Sequence, residues 1–238
     1  MVKAVIFDLD DTLCNSHEVF PPAIEGTFKK YLAHFPGKTV SEMVALERQA
    51  ASEVFEDPTI PTPVALTLLW IKIFELLGVK PDLKAIIEMR RQTWESMYKT
   101  INLLPGAEEL INYLVSKNIL IGILTNGPFL EQAEKLIALG IDKKVDYLVG
   151  TDLTMVDKPD PKAFNYILAK LAVRAEEAVM IGDYVEFDVL GAKGVGMKTI
   201  LLRHDFRKHT VEEEKEADLV VNNLEEVNSY FKDSFRDL

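Results

Sequence analysis

Cysteine, histidine and long apolar runs are all scarce in this chain of 238 residues, and each scarcity excludes a class of protein. The only cysteine, Cys14, rules out an internal disulfide and is typical of a protein in the reducing cytoplasm. The four histidines lack the spacing of a zinc site with a nearby cysteine. The longest apolar region, 64–79, carries Lys72 and Glu75 and is too short to span a bilayer comfortably, and no secretion signal is apparent. We therefore expect a soluble, cytoplasmic protein.

Basic residues are also outnumbered, with 27 lysines and arginines against 38 aspartates and glutamates and a net charge of −11. A polyanion such as nucleic acid would be repelled overall, although a local basic pocket for a small anion is compatible with this balance. Because 48% of the residues are hydrophobic, the chain can bury a core and is not a disordered polypeptide. Its length suits one large domain, or a core with a smaller second domain.

Short apolar runs alternate with helical patterns along most of the chain. Five of these runs and a weaker sixth predict strands at 4–7, 119–124, 147–149, 178–181, 199–202 and 219–221. Helical patterns lie between most of them, at 107–117, 129–139, 161–171 and 186–193. Asp160-Pro161 supplies an N-cap and a first-turn proline for one of these helices. Strands alternating with helices predict an α/β fold, with a parallel sheet covered on both faces.

One interval, residues 16–103, contains no convincing strand. It carries four helical stretches, near 21–35, 40–56, 63–77 and 82–100. We therefore predict an all-helical cap domain over 16–103, inserted after the first strand of a core formed by 1–15 and 104–238. Because both connections to the core are short, the cap should move as a lid on two hinges.

Polar residues follow the ends of the predicted strands, where ligands bind in an open parallel sheet. Asp8-Leu9-Asp10-Asp11-Thr12 comes directly after the first strand. The later strands are followed by Thr125-Asn126, by Lys158-Pro159 beyond a loop, and by Gly182-Asp183 with Asp188. Crowded carboxylates raise one another's pKa unless a cation compensates, and oxygen ligands of this kind suit Mg²⁺. The pattern predicts metal-assisted chemistry at this edge of the sheet.

These four motifs, in this order and each after its strand, resemble those of the haloacid dehalogenase-like (HAD) hydrolase superfamily. The resemblance implies a Rossmann-like core with the strand order 3-2-1-4-5, and the helical insertion resembles the first cap type of that superfamily. It also implies a Mg²⁺-dependent phosphatase that acts on a small phosphorylated metabolite. The oligomeric state, monomer or homodimer, stays open.

The resemblance also assigns roles to the motif residues. Asp8 is the expected nucleophile, which becomes an aspartyl phosphate, and Asp10 the expected general acid and base. Lys158 is expected to supply positive charge to the phosphoryl oxygens and to Asp8. The implied phosphate-binding residues are Leu9, Asp10, Thr125, Asn126 and Lys158.

The implied metal ligands are Asp8, the main-chain carbonyl of Asp10, and Asp183. Asp188 is expected to orient a metal-bound water or Lys158. Asp11 stands where the superfamily often has glycine, and its purpose does not follow from the sequence.

Three other functions are weighed against the phosphatase. The dehalogenases of this superfamily lack a carboxylate at the position of Asp10, so this residue indicates phosphate esters as substrates. A phosphotransferase or mutase would use the same aspartyl phosphate, and the sequence separates it poorly from a hydrolase. A non-catalytic binding protein is disfavoured because Asp8, Asp10 and Lys158 are all present.

Arg48 and Arg90 interrupt apolar stripes on two predicted helices of the cap. The two stripes consist of Val40, Val44, Ala51 and Phe55, and of Leu83, Ile87, Trp94 and Met97. A guanidinium on an apolar stripe must find a partner or reach solvent. We favour a salt bridge inside the cap for each arginine; the alternative is that one of them binds an anionic part of the substrate.

Overall fold

The computed structural model describes residues 1–55, 57, 60 and 62–234. The chain divides into two compact units, Met1–Asn15 with Asn102–Leu238, and Ser16–Ile101. Residues 102 and 103, which we assigned to the insertion, lie in the larger unit. There the Asn102 N–H donates to Asn15 Oδ1 at 2.8 Å, and Leu103 forms an antiparallel bridge with Cys14.

Within its described residues, the smaller unit has four long helices, α1 (Ser16–Tyr31), α2 (Val40–Phe55), α3 (Thr62–Leu76) and α4 (Leu83–Tyr98), with a 3₁₀ turn at Leu32–His34. Its core is formed by buried aromatic and aliphatic side chains, among them Phe28, Phe35, Met43, Trp70 and Ile73. None of the described helices combines the length and the apolarity needed to cross a membrane.

Two of the stripes expected in this unit are placed differently in the structure. On α2 the buried side chains are those of Met43, Glu47, Ala50 and Val54, and Arg48 is exposed. On α4 Leu83 and Ile87 are 69% and 65% exposed, whereas Trp94 and Met97 are buried. The stripe that contained Arg48 is therefore confirmed only in part: Val40, Val44 and Ala51 are partly buried against the core of this unit, whereas Arg48 and Phe55 are exposed. One residue step turns a helix by about 100°, so the fully buried face is centred on neighbouring residues.

The larger unit is built on six parallel strands: β1 (Ala4–Phe7), β2 (Leu120–Leu124), β3 (Tyr147–Val149), β4 (Ala178–Gly182), β5 (Lys198–Leu202) and β6 (Leu219–Val221). The sheet order is β3-β2-β1-β4-β5-β6, which confirms the predicted order and adds the weak sixth strand beside β5. All four residues of β1 have no exposed surface. A strand covered on both faces reads as a continuous apolar run, which is why it is recognisable in the sequence.

The remaining helices are α5 (Ala107–Ser116), α6 (Phe129–Ala138), α7 (Thr151–Thr154), α8 (Pro161–Leu171), α9 (Gly191–Gly194), α10 (Val211–Glu214) and α11 (Leu224–Ser234). Asp160 caps α8 as predicted, since its carboxylate accepts from the Lys162 N–H at 2.8 Å. The helix predicted over 186–193 is instead a π-helical turn, Val185–Leu190, followed by α9. That turn carries Asp188.

Candidate active site

The carboxyl ends of the two central strands bring three aspartates together. The register pairs Phe7 of β1 with Ile181 of β4, and the Asp8 N–H donates to the Ile181 carbonyl at 2.9 Å. Asp8 and Asp183 therefore leave the sheet side by side. Carboxylate oxygens of Asp8, Asp183 and Asp188 all lie within 4.8 Å of one another. All three residues are buried.

Lys158 lies between two of these carboxylates. Its Nζ donates to Asp8 Oδ1 and to Asp188 Oδ1, each at 2.6 Å, and the residue is only 4% exposed. The side-chain amide of Asn126 fixes the lysine main chain, because Asn126 Oδ1 accepts from the Lys158 N–H at 2.7 Å and Nδ2 donates to the Lys158 carbonyl at 3.1 Å. Two residues predicted for phosphate binding thus hold each other in place.

Asp188 reaches the cluster because residue 182 has no side chain. A Cβ at Gly182 would overlap the carboxyl group of Asp188. The second carboxylate oxygen of Asp188 accepts from the Tyr184 N–H at 3.0 Å. The glycine of the Gly182-Asp183 motif is therefore a steric requirement of the contact between Asp188 and Lys158.

Burial and the neighbouring charges together raise the pKa values of both Asp8 and Lys158. Burial raises the pKa of Asp8 to about 7; Lys158 lowers it and Asp188 raises it further. Burial alone would lower the pKa of Lys158, but Asp188 and Asp8 outweigh that effect and raise it. These contacts therefore favour the charged form of Lys158. A second cation near Asp8 would favour its ionised form.

Asp183 has its own set of donors. Thr12 Oγ1 donates to Asp183 Oδ1 at 3.2 Å, and His209 Nε2 lies 3.0 Å from the Asp183 carbonyl oxygen. The guanidinium of Arg207 contacts Asp183 Oδ2 and lies over the Tyr184 ring, 3.5 Å from its centroid. Arg207 and His209 come from the segment after β5 and were not predicted, because neither lies in a motif or directly after a strand.

The three aspartates fit a divalent metal ion of the Mg²⁺ type. Their donor atoms are all oxygens, and such hard ligands suit Mg²⁺. Of the predicted ligands, Asp8 and Asp183 belong to this cluster, together with Asp188. The carboxylate of Asp10 points elsewhere; the predicted ligand of that residue is its main-chain carbonyl, which stays a prediction.

Thr125 and Leu9 lie at the same edge of the sheet but offer different groups. Thr125 is 3% exposed, and its Oγ1 accepts from the Gly127 N–H at 3.2 Å, which leaves its own hydrogen to donate. The side chain of Leu9 is fully buried, so only its main chain can face a phosphate. Their roles in phosphate binding stay predictions.

Asp10 is contacted by two side chains of α6. Gln132 Nε2 donates to Asp10 Oδ2 at 3.1 Å, and Lys135 Nζ donates to Asp10 Oδ1. Neither was predicted from the sequence. A signal was present, because both are polar residues on the buried face of a helix that follows Thr125-Asn126 directly.

Comparisons with known proteins agree with this arrangement. A family model described as haloacid dehalogenase-like hydrolase matches residues 5–202. A glyceraldehyde 3-phosphate phosphatase of Pyrococcus furiosus is 27% identical over 224 residues, which cover 94% of this chain and 90% of the relative. A ribulose-1,5-bisphosphate 5-phosphatase of Halopiger xanaduensis is 30% identical over 209 residues, 84% of each chain. The crystal structure of a HAD phosphatase from Thermococcus onnurineus is similar with a TM-score of 0.68 at 24% identity, and covers 97% of this chain and 98% of that one.

Proposed function

Because this chain is an enzyme that belongs to the haloacid dehalogenase-like hydrolase family, we propose that it is a Mg²⁺-dependent phosphatase acting on small phosphorylated metabolites. One observation carries the proposal: the buried Lys158 ammonium lies 2.6 Å from both Asp8 and Asp188, whose carboxylates cluster with that of Asp183. Phosphoryl transfer needs an in-line nucleophile and positive charge around the phosphoryl oxygens, and Asp8 and Lys158 are groups that could supply them. The names of the curated relatives support the substrate class.

Asp8 is proposed to be the nucleophile. Its carboxylate attacks phosphorus, the bond to the ester oxygen breaks, and an aspartyl phosphate forms. Lys158 keeps positive charge beside both the attacking oxygen and the phosphoryl oxygens. Asn126 holds the lysine main chain, so that the ammonium stays between Asp8 and Asp188.

Asp10 is proposed to move the protons. Its carboxylic acid donates a proton to the leaving oxygen, and the resulting carboxylate later takes a proton from the water that attacks the aspartyl phosphate. The Thr125 hydroxyl, the main-chain amides of Leu9 and Asp10, and Asn126 are proposed to bind the phosphoryl oxygens.

We propose that Asp8, Asp183 and the Asp10 main-chain carbonyl hold Mg²⁺, with Asp188 nearby. When bound, the ion supplies further positive charge to the phosphoryl group. The helical unit, Ser16–Ile101, is proposed to be the cap that excludes water while the aspartyl phosphate forms.

The test is phosphate release from p-nitrophenyl phosphate and from a panel of small phosphorylated metabolites that begins with glyceraldehyde 3-phosphate and ribulose 1,5-bisphosphate. We expect turnover with Mg²⁺ and its loss with a chelator. Asp8→Asn should abolish turnover with the fold intact, because an amide is not a competent nucleophile. Asp160→Asn is the matched control, since Asp160 is an exposed helix cap and asparagine caps equally well.

Three outcomes of these assays would contradict the proposed phosphatase. Retention of more than about 5% of the activity in Asp8→Asn would contradict the covalent route, because loss of a nucleophile costs orders of magnitude. Transfer of the phosphoryl group to a sugar hydroxyl without release of phosphate would identify a phosphotransferase. Halide release from a 2-haloacid would identify a dehalogenase.

A further inference from the structure

Helix α6 buries three polar side chains, those of Glu131, Gln132 and Lys135, where an amphipathic helix normally buries apolar ones. Gln132 and Lys135 are each 3% exposed. A lysine is rarely buried to this degree without a specific partner, because removing its charge from water is costly. Residues three apart on a helix share a face, so both side chains point to the same place. That place is the carboxylate of Asp10.

Each of the two side chains donates to a different oxygen of the Asp10 carboxylate. Gln132 Nε2 donates to Oδ2 at 3.1 Å, and Lys135 Nζ donates to Oδ1. The carboxylate cannot rotate without breaking one of these bonds. The Lys135 side chain is 4% exposed and that of Asp10 is 32% exposed. The Asp10 carboxylate is therefore held by α6, while about a third of its side chain remains exposed to solvent.

The position of Gln132 depends on a neighbouring glycine. A Cβ at Gly127 would overlap the Gln132 amide. Rotating this amide by half a turn would put its oxygen against the Asp10 carboxylate, so repulsion fixes Nε2 as the contacting atom. Among the described residues, no hydrogen bond reaches the buried Gln132 Oε1. Burying an unsatisfied polar atom costs about 1–3 kcal/mol, so this arrangement is not optimised for stability.

We propose that Gln132 and Lys135 are positioning residues that hold the Asp10 carboxyl group where, in its protonated form, it transfers its proton to the leaving oxygen. The inference rests on the proposed function, in which Asp10 is the general acid. Proton transfer demands that donor and acceptor lie within hydrogen-bond reach, and a misplacement of about 1 Å can cost about 100-fold in rate. If the two side chains only stabilised the fold, replacing them would lower kcat/KM by the same factor for every leaving group.

The test compares kcat/KM for an alkyl phosphate and for p-nitrophenyl phosphate, whose leaving group needs little protonation. kcat/KM covers only the steps up to departure of the leaving group, so the later base role of Asp10 does not enter. We expect Gln132→Leu and Lys135→Met to lower kcat/KM about 100-fold for the alkyl ester and less than about 10-fold for the aryl ester. Asp10→Asn should show the same pattern. Lys143→Met removes the same charge from an exposed position and should change neither value.

A double-mutant cycle separates positioning from a general structural effect. If Gln132 acts through Asp10, adding Gln132→Leu to Asp10→Asn should change kcat/KM less than about 2-fold, because coupled residues are not additive. Equal losses on both esters, or a full additional loss in the double variant, would overturn the proposal.

Crystal structures of Gln132→Leu and Lys135→Met give a reading that needs no activity. A changed orientation of the Asp10 carboxylate supports the proposal, and the wild-type orientation in both variants overturns it. A wild-type protein that hydrolyses neither ester would instead contradict the proposed function.

Discussion

Asp11 shows how the geometry of a single residue explains a choice of side chain. Its φ is +62°, in the left-handed region that costs most L-residues about 1–2 kcal/mol and that glycine, asparagine and aspartate adopt most readily. The N–H of Asp11 donates to the Cys14 carbonyl at 2.8 Å, and the Leu13 N–H donates to the Leu9 carbonyl at 3.0 Å. The tight turn after β1 therefore requires this conformation, which suits the glycine often found at this position in the family.

We predict that conformation, rather than charge, dominates at residue 11. Asp11→Gly and Asp11→Asn should stay within about 0.5 kcal/mol of the wild-type free energy of unfolding, whereas Asp11→Ala should lower it by about 1 kcal/mol. Urea unfolding measures all three. An alanine variant as stable as the glycine variant would contradict this explanation, and a large loss in the asparagine variant would show that the charge matters instead.

At the scale of elements, one carboxylate joins the starts of two strands. Glu177 precedes β4, and it accepts hydrogen bonds from the Arg174 N–H and guanidinium, each at 3.1 Å. Lys3, which precedes β1, contacts the same carboxylate at 2.7 Å. The Arg174 side chain, followed by Lys3, lowers the pKa of Glu177 to about 2 from its ordinary value of 4.5.

A pKa below the unfolded value means that Glu177 stabilises the fold above pH 4.5, and that this contribution is lost as the pH falls towards 2. We expect Glu177→Gln to be less stable than wild type at neutral pH, with a gap that narrows below about pH 4.5. Urea unfolding at several pH values tests this. Glu176→Gln, an exposed neighbour that contacts the same arginine, is the control and should cost little. A gap that is independent of pH would contradict the ionic explanation.

The sequence predicts the elements of the larger unit well because its strands are buried on both faces and thus continuous in hydrophobicity. It predicts the helical unit less well. Helix α1 begins at Ser16, although Pro21 and Pro22 are typical of a helix start and lie inside it. Leu83 and Ile87 are apolar yet exposed. An apolar residue in a helix does not have to be buried, whereas one in a central strand does.

The difference between strands and helices also explains which site residues can be predicted from the sequence. Asp8 and Asp183 directly follow strands whose register places their ends together, so the topology alone brings them close. Gln132 and Lys135 reach Asp10 from the first and second turns of α6, and Arg207 reaches Asp183 from a loop. Those contacts depend on side-chain length and on how the helix and the loop pack against the sheet. The positions of residues after strands do not reveal either.

On the scale of the whole molecule, folding concentrates negative charge in a chain that already carries a net −11. Asp8, Asp183 and Asp188 lie in one cluster, and Asp10 lies nearby in the chain. Buried like charges destabilise the folded state unless cations offset them. Lys158 and Arg207 contact this cluster directly. A divalent cation that binds only the folded chain would add to that compensation.

We therefore predict that Mg²⁺ stabilises the protein independently of any catalysis. Binding to the folded state alone should raise the free energy of unfolding by about 2.7 kcal/mol when the ion is at 100 times its Kd, and thermal unfolding should show a higher Tm that a chelator reverses. Asp183→Asn should lose most of this increase because a neutral amide replaces one of the three clustered carboxylates. Asp160→Asn should keep it, since Asp160 caps α8 outside the cluster. An equal Mg²⁺ effect in both variants would place the ion elsewhere and contradict the proposed ligands.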